Sequence, residues 1–364
     1  MNIGVPKEIK TEEYRVGLTP ETAKEYIAHG HKVMVEKDAG YGSGFSDEDY
    51  ALVGCNVTDK RVLFQESEMI IKVKEPLEEE YDFFSEGQIL YTYLHLAANL
   101  KLTNFLLERK INSIAYETIT EDGGLPLLKP MSEIAGRLSV QEGAKYLEKP
   151  MGGRGILLGG VPGIKRGNVV IMGGGVVGLN ACKMAIGLGA NVTIIDISGE
   201  RLAYLDDIFG NKVTTLYSNE SNILSSIVNA DLVIGAVLIP GAAAPKLIKS
   251  DYLSKMKPYS VIVDVAVDQG GCCETTKATT HRDPVYFVDH ILHYCVANMP
   301  GAVSLSSTLA LTSVTNKYGL KIASNFYNAV RNEPIRSGLN TYNGYLTNRA
   351  VANSLKLSYD NISI

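Results

Sequence analysis

Residues 168–196 read NVVIMGGGVVGLNACKMAIGLGANVTIID, which is a hydrophobic strand, a glycine-rich turn, a helix and a second strand. The turn has the spacing Gly173-x-Gly175-x-x-Gly178, and the second strand ends at Asp196. Gly173 permits a tight turn, Gly175 lets a phosphate approach the backbone, and Gly178 lets the helix pack closely on the strand. The stretch therefore predicts a dinucleotide-binding βαβ unit. The alternative is a glycine-tight turn that binds no ligand.

The sequence on both sides continues the alternation of short Val, Ile and Leu runs with helix-like segments. This alternation is typical of parallel α/β sheets. Besides the two strands at 168–172 and 191–196, it predicts strands at 232–236, 261–266 and 285–288. In the first third it predicts strands at 2–5, 32–36, 69–73, 88–94 and 113–116.

The connecting segments are expected to be helical. Thr19-Pro20-Glu21 predicts a capped helix over 20–29, and further helices are expected over 100–109 and 132–147, the latter with Ser132 as its cap. The last part of the chain is also expected to be helical, around 308–330 and 344–355.

These last helices cannot extend a sheet, so they are expected to pack on the first domain and make it discontinuous. The expected fold class is α/β, with two Rossmann-like doubly wound domains. One comprises residues 131–304, and the other is built from both termini, residues 1–130 and 305–364.

Composition excludes several classes of protein. The 364 residues carry a net charge of −5, which argues against a nucleic-acid or anionic-membrane surface. The apolar run at 169–179 is too short to span a bilayer, and MNIGVPKEIK at the start lacks a secretory signal. Five cysteines, an odd number, favour free thiols in a cytoplasmic protein, and the lack of a C-x-x-C pair argues against a structural zinc site.

Asp196 predicts which nicotinamide cofactor the turn binds. A carboxylate at the end of the second strand accepts hydrogen bonds from the adenosine ribose and repels a 2′-phosphate. We therefore expect NAD rather than NADP.

Four polar side chains follow predicted strands: Arg15, Lys74 and His95 in the first domain, and Asp268 in the second. Ligands of open α/β sheets bind beyond the carboxyl ends of the strands. If the two sheets face each other, the four groups converge on one cleft. Arg and Lys suit a carboxylate, and His moves a proton near neutral pH, so the set suits a small 2-amino or 2-oxo acid.

Each group also has a plain structural alternative. Arg15 and Lys74 could be solvated surface charges, and His95, which lies between Leu94 and Leu96, could be a hydrogen-bonded core histidine. His290 and His293 have a spacing that a metal site could use, but the strand-like sequence around them argues against one. The acidic run at 78–80 is expected to be a solvated loop face.

Several longer words in the sequence resemble one family, the bacterial NAD-dependent L-alanine dehydrogenases, over nearly the whole chain. They are GVPKEIKTEEYRVGLTP, IIKVKEP, YTYLHLAA, MSEIAGR, GGGVVG, VIGAVLIPGAAAPKL, VDVAVDQGGC and HYCVANMPGAV. The resemblance implies reversible oxidative deamination of L-alanine to pyruvate and ammonium, a substrate domain built from both termini, and a homohexamer.

The resemblance also implies roles for individual residues. Arg15 and Lys74 would bind the substrate carboxylate and carbonyl, and His95 and Asp268 would be the acid/base pair. The cofactor-binding residues expected from the resemblance and the turn are Ser132, Gly173, Gly175, Val176, Val177, Gly178, Asp196, Arg201, Ser218, Val237, Leu238 and Asn298.

The sequence departs from the family pattern at Tyr14, where Asn is common, at Ala243, where Lys is usual, and at Ser304-Leu305, where Pro-x is common. None of these removes a proposed catalytic group. Three other functions stay open at this point: the nucleotide-binding part of a proton-translocating transhydrogenase, a relative of lysine-forming saccharopine dehydrogenase, and a catalytically silent NAD-binding scaffold.

Overall fold

Strands and helices alternate along the chain in the computed structural model, which describes residues 1–237 and 244–361. In chain order the strands are β1 (Asn2–Val5), β2 (Lys32–Glu36), β3 (Asn56–Thr58), β4 (Met69–Ile71), β5 (Ile89–Thr92), β6 (Asn112–Ala115), β7 (Asn168–Met172), β8 (Asn191–Asp196), β9 (Val213–Tyr217), β10 (Leu232–Gly235), β11 (Val261–Asp264), β12 (Val285–Val288), β13 (Ile291–Tyr294), β14 (Leu339–Tyr342) and β15 (Tyr345–Leu346). The α-helices are α1 (Pro20–Ala28), α2 (Asp47–Leu52), α3 (Lys60–Glu66), α4 (Leu100–Glu108), α5 (Lys129–Tyr146), α6 (Val176–Gly187), α7 (Gly199–Phe209), α8 (Glu220–Val228), α9 (Ser304–Ser324), α10 (Phe326–Arg331), α11 (Ile335–Gly338) and α12 (Arg349–Leu355).

The chain divides into two units. The first unit comprises Met1–Met131 together with the residues from Gly301 onward, and the second unit comprises Ser132–Pro300. Each unit has its own sheet. The first is therefore discontinuous and built from both termini.

The sheet of the second unit has the strand order β12-β13-β11-β10-β7-β8-β9. Its strands pair in parallel except for β12, which runs antiparallel to β13. This is the doubly wound order of a dinucleotide-binding fold, with the glycine-rich turn after strand β7, which lies between β10 and β8. The predicted fold class is confirmed, although the sequence analysis missed β9 and β13.

The sheet of the first unit has the order β15-β14-β6-β5-β4-β1-β2-β3. Strands β1 to β6 pair in parallel, and β14 pairs antiparallel with β6. The expectation that the end of the chain cannot extend a sheet is therefore wrong. The Thr341 hydroxyl lies 2.7 Å from both the Ser113 hydroxyl and the Ile111 carbonyl, so this strand buries polar side chains without losing their hydrogen bonds.

Helix boundaries follow their capping residues. Thr19 caps α1 as predicted, since its hydroxyl accepts a hydrogen bond from the Thr22 N–H and Pro20 occupies the first turn. Ser132 does not cap α5, because that helix already begins at Lys129. The segment expected around 308–330 is two helices, and the Asn325 side chain caps the second.

Both units bury a continuous apolar core beneath their sheets. In the first unit Leu63, Phe64 and Leu90 are fully buried within one cluster, and in the second Met172, Val233 and Ile262 are fully buried within another. Across residues 1–237 and 244–361, no helix combines the length and the apolar character needed to cross a membrane.

Candidate functional site

Arg15 is buried in the segment that follows β1, where Glu13 holds its guanidinium. The Arg15 side chain is 2% exposed; its Nε donates to Glu13 Oε1 at 2.7 Å, and its Nη2 donates to Oε2 at 2.5 Å. Burial alone would lower the pKa of Arg15, but the Glu13 carboxylate outweighs it and holds that pKa above its usual value. The alternative that Arg15 is a solvated surface charge is therefore wrong.

Lys74 lies three residues beyond the end of β4, and its backbone is fixed on both sides. Glu8 Oε1 accepts from the N–H of Val73 at 2.6 Å and from that of Lys74 at 3.2 Å. The Thr92 hydroxyl donates to the Lys74 carbonyl at 3.0 Å. Burial lowers the pKa of Lys74, and the nearby Arg15 charge lowers it further. The Lys74 ammonium is thus a partly desolvated cation beside a second cation, which favours an anionic ligand.

Glu8 is itself part of a buried ion cluster with Lys72 and Glu80. The Lys72 ammonium lies 3.2 Å from Glu8 Oε2 and 2.8 Å from Glu80 Oε1, and its side chain is 0% exposed. Burial would lower the pKa of Lys72, but the two carboxylates raise it above its usual value. The expectation of a solvated face at 78–80 is therefore wrong for Glu80, because this carboxylate turns inward to the buried ammonium. Glu78 and Glu79 are exposed.

His95 lies three residues beyond the end of β5, and its side chain is 50% exposed. The alternative of a core histidine is therefore wrong. Its backbone adopts a left-handed conformation with φ +51°, which is uncommon outside glycine. The Glu117 carboxylate stabilises this turn by accepting hydrogen bonds from the N–H of His95 at 2.6 Å and from that of Leu94 at 3.2 Å. Such strain is often found at functional sites.

Glu75 faces the imidazole of His95. Its Oε2 lies 3.7 Å from His95 Nδ1, and its Oε1 lies 2.5 Å from the Lys10 ammonium. Burial would raise the pKa of Glu75, but its interactions with His95 and Lys10 outweigh burial and hold that pKa well below its usual range. The Glu75 carboxylate therefore faces the Nδ1 side of the imidazole, and Nε2 is the ring nitrogen available for proton transfer.

The sheet of the first unit brings these three groups to one edge. Arg15, Lys74 and His95 follow β1, β4 and β5, which are neighbours in the sheet, and the carboxyl ends of parallel strands share an edge. Two cations and one imidazole beside each other can bind a carboxylate, polarise a carbonyl or imine, and transfer a proton.

The glycine-rich turn of the second unit has the geometry that its spacing predicts. Gly173 has φ +97°, a conformation that favours glycine, and a Cβ at Gly178 would collide with the Gly173 carbonyl oxygen. A Cβ at Gly175 would meet no atom within 4 Å, so the backbone there faces open space. Gly175 precedes α6 and gives it no side-chain cap. The turn therefore fits a phosphate group at the helix N-terminus.

Asp196 ends β8 beside this turn. Its Oδ2 accepts a hydrogen bond from the Gly174 N–H at 2.6 Å, and its Oδ1 accepts one from the Ser198 N–H at 2.8 Å. Arg201 Nε donates to the Gly174 carbonyl, and the Arg201 guanidinium lies 4.6 Å from the Tyr204 ring. The carboxylate is thus at the strand end where a ribose would bind, and Arg201 lies next to it.

Most other expected cofactor residues lie beyond the carboxyl ends of strands in the same sheet. Ser218 follows β9 and its N–H donates to the Asp196 carbonyl at 2.9 Å, Val237 follows β10, and Asn298 follows β13 with φ +57°. Val176 and Val177 form the first turn of α6, whereas Ser132 is half-buried on α5. Leu238 lies outside the described residues.

Asp268 follows β11 on the short 3₁₀ helix Val265–Gln269, and its side chain is exposed. Within residues 1–237 and 244–361, no group of three or more His, Cys, Asp or Glu side chains is arranged to hold a metal ion. His293 is buried in β13, where its Nδ1 lies 3.0 Å from the Ile291 carbonyl and its Nε2 lies 2.8 Å from the Thr275 hydroxyl. All five cysteines are free and buried.

The carboxylates that hold the site together were not among the residues predicted from the sequence: Glu8, Glu13, Glu75 and Glu117. Glu13 lies two positions before Arg15 and Glu75 directly follows Lys74, so the sequence itself shows that these carboxylates are close to predicted site residues. Glu8 and Glu117 act across 66 and 22 positions, and nothing local in the sequence indicates such pairing.

Comparison with known proteins places the chain in a family. The model of the alanine dehydrogenase/PNT N-terminal domain matches residues 4–135, and that of the alanine dehydrogenase/PNT C-terminal domain matches residues 139–349. The chain belongs to the alanine dehydrogenase/PNT family. An alanine dehydrogenase from Methanococcus maripaludis is 56% identical over 99% of this chain and 98% of its own length. Alanine dehydrogenase 2 from Staphylococcus aureus is 52% identical over 100% of this chain and 98% of its own.

A solved structure agrees with this assignment, and a second one shares the fold. A structure of an L-alanine dehydrogenase matches with a TM-score of 0.95 at 50% identity, covering 98% of this chain and 99% of that one. A transhydrogenase from Sinorhizobium meliloti matches with a TM-score of 0.84 at 23% identity, covering 95% of this chain and 100% of that one. The second likeness shows that the fold is shared.

Proposed function

We propose that this chain is an NAD-dependent alanine dehydrogenase, which reversibly converts L-alanine, NAD and water to pyruvate, ammonium and NADH. The observation that carries the proposal is the placement of Arg15, Lys74 and His95 at neighbouring strand ends of one sheet. This set suits a small 2-amino or 2-oxo acid. Full-length identity of 50–56% to alanine dehydrogenases supports the choice of alanine.

Arg15 and Lys74 bind the substrate. Glu13 holds the Nε–Nη2 edge of Arg15, which fixes the orientation of the guanidinium beside the substrate carboxylate. Lys74 interacts with the carbonyl oxygen, where negative charge develops during reduction of pyruvate. Its lowered pKa has a direct consequence, since Lys74 loses its charge at a lower pH than an ordinary lysine. Binding of pyruvate should therefore weaken on the alkaline side.

His95 and Asp268 are the acid/base pair. NAD, when bound, supplies the acceptor for the hydride that leaves the alanine Cα. The remaining iminium is stabilised by the Asp268 carboxylate. His95 takes a proton from the water that attacks the iminium carbon, and returns a proton to the amino group as the carbinolamine collapses to pyruvate and ammonium. Glu75 and Glu117 hold His95 for these transfers.

The second unit binds the cofactor. The N–H groups at the start of α6 bind the pyrophosphate, and the open space at Gly175 lets it approach. Asp196 binds the ribose hydroxyls and disfavours a 2′-phosphate, with Arg201 beside it. The remaining proposed cofactor residues are Ser132, Gly173, Val176, Val177, Gly178, Ser218, Val237, Leu238 and Asn298.

We propose a homohexamer in a bacterial cytoplasm, as the family resemblance implies, with small molecules rather than nucleic acids or membranes as partners. The net charge of −5 and the five free thiols support this setting. The bacterial source rests on the resemblance alone. The relative from Methanococcus, which is 56% identical, does not itself favour a bacterial source.

The proposal is tested by NADH oxidation with the purified chain. We expect oxidation that requires both pyruvate and ammonium. Transfer of a hydride from NADH to NADP without pyruvate would indicate a transhydrogenase instead. Activity with lysine and 2-oxoglutarate in place of ammonium and pyruvate would indicate a saccharopine-type dehydrogenase. Binding of NADH without any turnover would indicate a silent scaffold.

A further inference from the structure

The turn that carries Asp268 is held by a buried carboxylate. Asp264, the last residue of β11, is 0% exposed. Its Oδ2 accepts hydrogen bonds from the N–H groups of Cys272 at 2.9 Å and Cys273 at 3.2 Å, and its Oδ1 accepts one from the Ala266 N–H at 3.1 Å. Asp264 thus binds the backbone on both sides of Asp268.

Lys246 binds the same turn through its carbonyl groups. The Lys246 ammonium lies 2.5 Å from the Gly270 oxygen, 2.9 Å from the Gly271 oxygen and 3.1 Å from the Cys273 oxygen. Gly270 and Gly271 have φ +88° and +77°, a backbone conformation that favours glycine. Hydrogen bonds to charged groups are roughly twice as strong as neutral ones.

Closely packed atoms around the Asp264 carboxylate fix its position. A Cβ at Gly235 would lie 2.8 Å from Asp264 Oδ1, and a Cβ at Gly271 would lie 2.6 Å from Oδ2. The Thr276 hydroxyl donates to Oδ2 as well. These contacts account for Gly235 of the VIGA word and for Gly271 of the DQGG word. The carboxylate is enclosed, so the turn cannot shift without breaking its hydrogen bonds.

We propose that Asp264 and Lys246 are positioning residues for Asp268. Asp264 accepts hydrogen bonds from N–H groups of the turn, and Lys246 donates hydrogen bonds to its carbonyl groups. Together they fix the backbone that carries the exposed Asp268 side chain. The inference rests on the proposed role of Asp268 in the reaction. A catalytic group displaced by about 1 Å typically loses about 100-fold in rate, so even a modest loosening of the turn lowers kcat.

The test replaces Lys246 by Met and compares it with Lys249→Met. Lys249 is an exposed lysine of the same segment, whose ammonium is 2.8 Å from Glu220 instead of the turn. Lys246→Met should lower kcat about 10- to 100-fold at a temperature where both variants are folded, and leave the Kd for NADH within about twofold. Its thermal midpoint should fall below that of Lys249→Met, because three hydrogen bonds to the turn are lost. Lys246→Arg should restore part of kcat, because a guanidinium also donates to carbonyls. Normal kcat in the folded variant, or loss of NADH binding together with kcat, would overturn the inference.

Asp268→Asn separates this inference from the proposed function. If Asp268→Asn keeps full turnover, the proposed role of Asp268 is wrong. If it loses turnover but Lys246→Met does not, the positioning inference alone is wrong. If Asp268→Asn and Lys246→Met each lose turnover, the variant with both substitutions should be no slower than Asp268→Asn alone. The effects of residues that act through one another on kcat are not additive. Asp264→Asn, which keeps the side-chain shape, should resemble Lys246→Met in kcat.

Discussion

Replacement of Lys72 by Met should destabilise the first unit, because Lys72 neutralises two buried carboxylates. Its ammonium lies 2.8 Å from Glu80 and 3.2 Å from Glu8, with all three side chains nearly inaccessible. Glu8 also accepts hydrogen bonds from the N–H groups of Val73 and Lys74, so it cannot turn to solvent without releasing the backbone of the substrate site. Methionine keeps most of the side-chain volume and removes the charge.

The size of the effect follows from the cost of a buried, unpaired carboxylate. Breaking a buried ion pair from one side typically costs about 3–5 kcal/mol. The part of that cost that comes from Glu8 has an upper limit, because the Glu8 carboxylate can take up a proton and become neutral. With an ordinary pKa of about 4.5, neutralising one carboxyl at about pH 7 costs about 3 kcal/mol, at about 1.36 kcal/mol per pH unit. We therefore expect a loss of about 3 kcal/mol in the free energy of unfolding.

The pH dependence has a definite sign. Burial already raises the pKa of Glu8 in the presence of Lys72, and removal of Lys72 raises it further. A carboxyl whose pKa is higher in the folded state destabilises the fold as pH rises through that pKa, and the loss disappears on acidification. At about pH 5 the loss in the free energy of unfolding should therefore be clearly smaller than at about pH 7.

The assay is urea unfolding followed by far-UV circular dichroism, since the chain contains no Trp. Hydrogen exchange of the β4 and β5 amides assigns the loss to the first unit. Lys110→Met is the control, because Lys110 is exposed and pairs with Glu86 at 2.6 Å on the surface. An unchanged urea midpoint in Lys72→Met at about pH 7, or a loss that grows on acidification, would refute the reasoning.

Three further predictions concern activity. In steady-state kinetics Lys74→Ala should mainly lower kcat, and Arg15→Ala should mainly raise KM for pyruvate, since Lys74 acts where charge develops; a normal kcat in Lys74→Ala would remove it from the site. His95→Ala should lower turnover about 10²–10⁴-fold with NADH binding, followed by NADH fluorescence, unchanged; retained activity would show that the imidazole is not the acid/base group. Asp196→Ala should narrow an NAD preference of on the order of 100-fold in kcat/KM, mostly by weakening NAD; an unchanged NAD/NADP ratio would mean that Asp196 does not contact the ribose.

The parts of the fold that apolar patterns specify were predictable. Strands β7 and β8 begin and end at the predicted residues, because both are buried runs next to glycine turns. Strand β9 was missed because its sequence, VTTLY, is largely polar and half-exposed. Strand β14 was missed because Asn340 and Thr341 are buried polar residues. Their hydrogen-bond partners come from distant segments, and no local pattern shows them.

The candidate site was predictable to the extent that it follows strand ends. Arg15, Lys74 and His95 were found in this way, since parallel strands end at one edge of a sheet. The burial of Arg15 and the left-handed backbone of His95 were not predictable. Both depend on carboxylates, Glu13 and Glu117, whose contacts form only in the folded chain.

The central claim is that a hydride passes from the Cα of L-alanine to NAD. The direct measurement is incubation of the purified chain with NAD and L-alanine deuterated at Cα, followed by mass spectrometry of the nicotinamide product. We expect NADH that carries one deuterium, together with pyruvate and ammonium in equal amounts. NADH without deuterium, or bound NAD with no reduction, would contradict it.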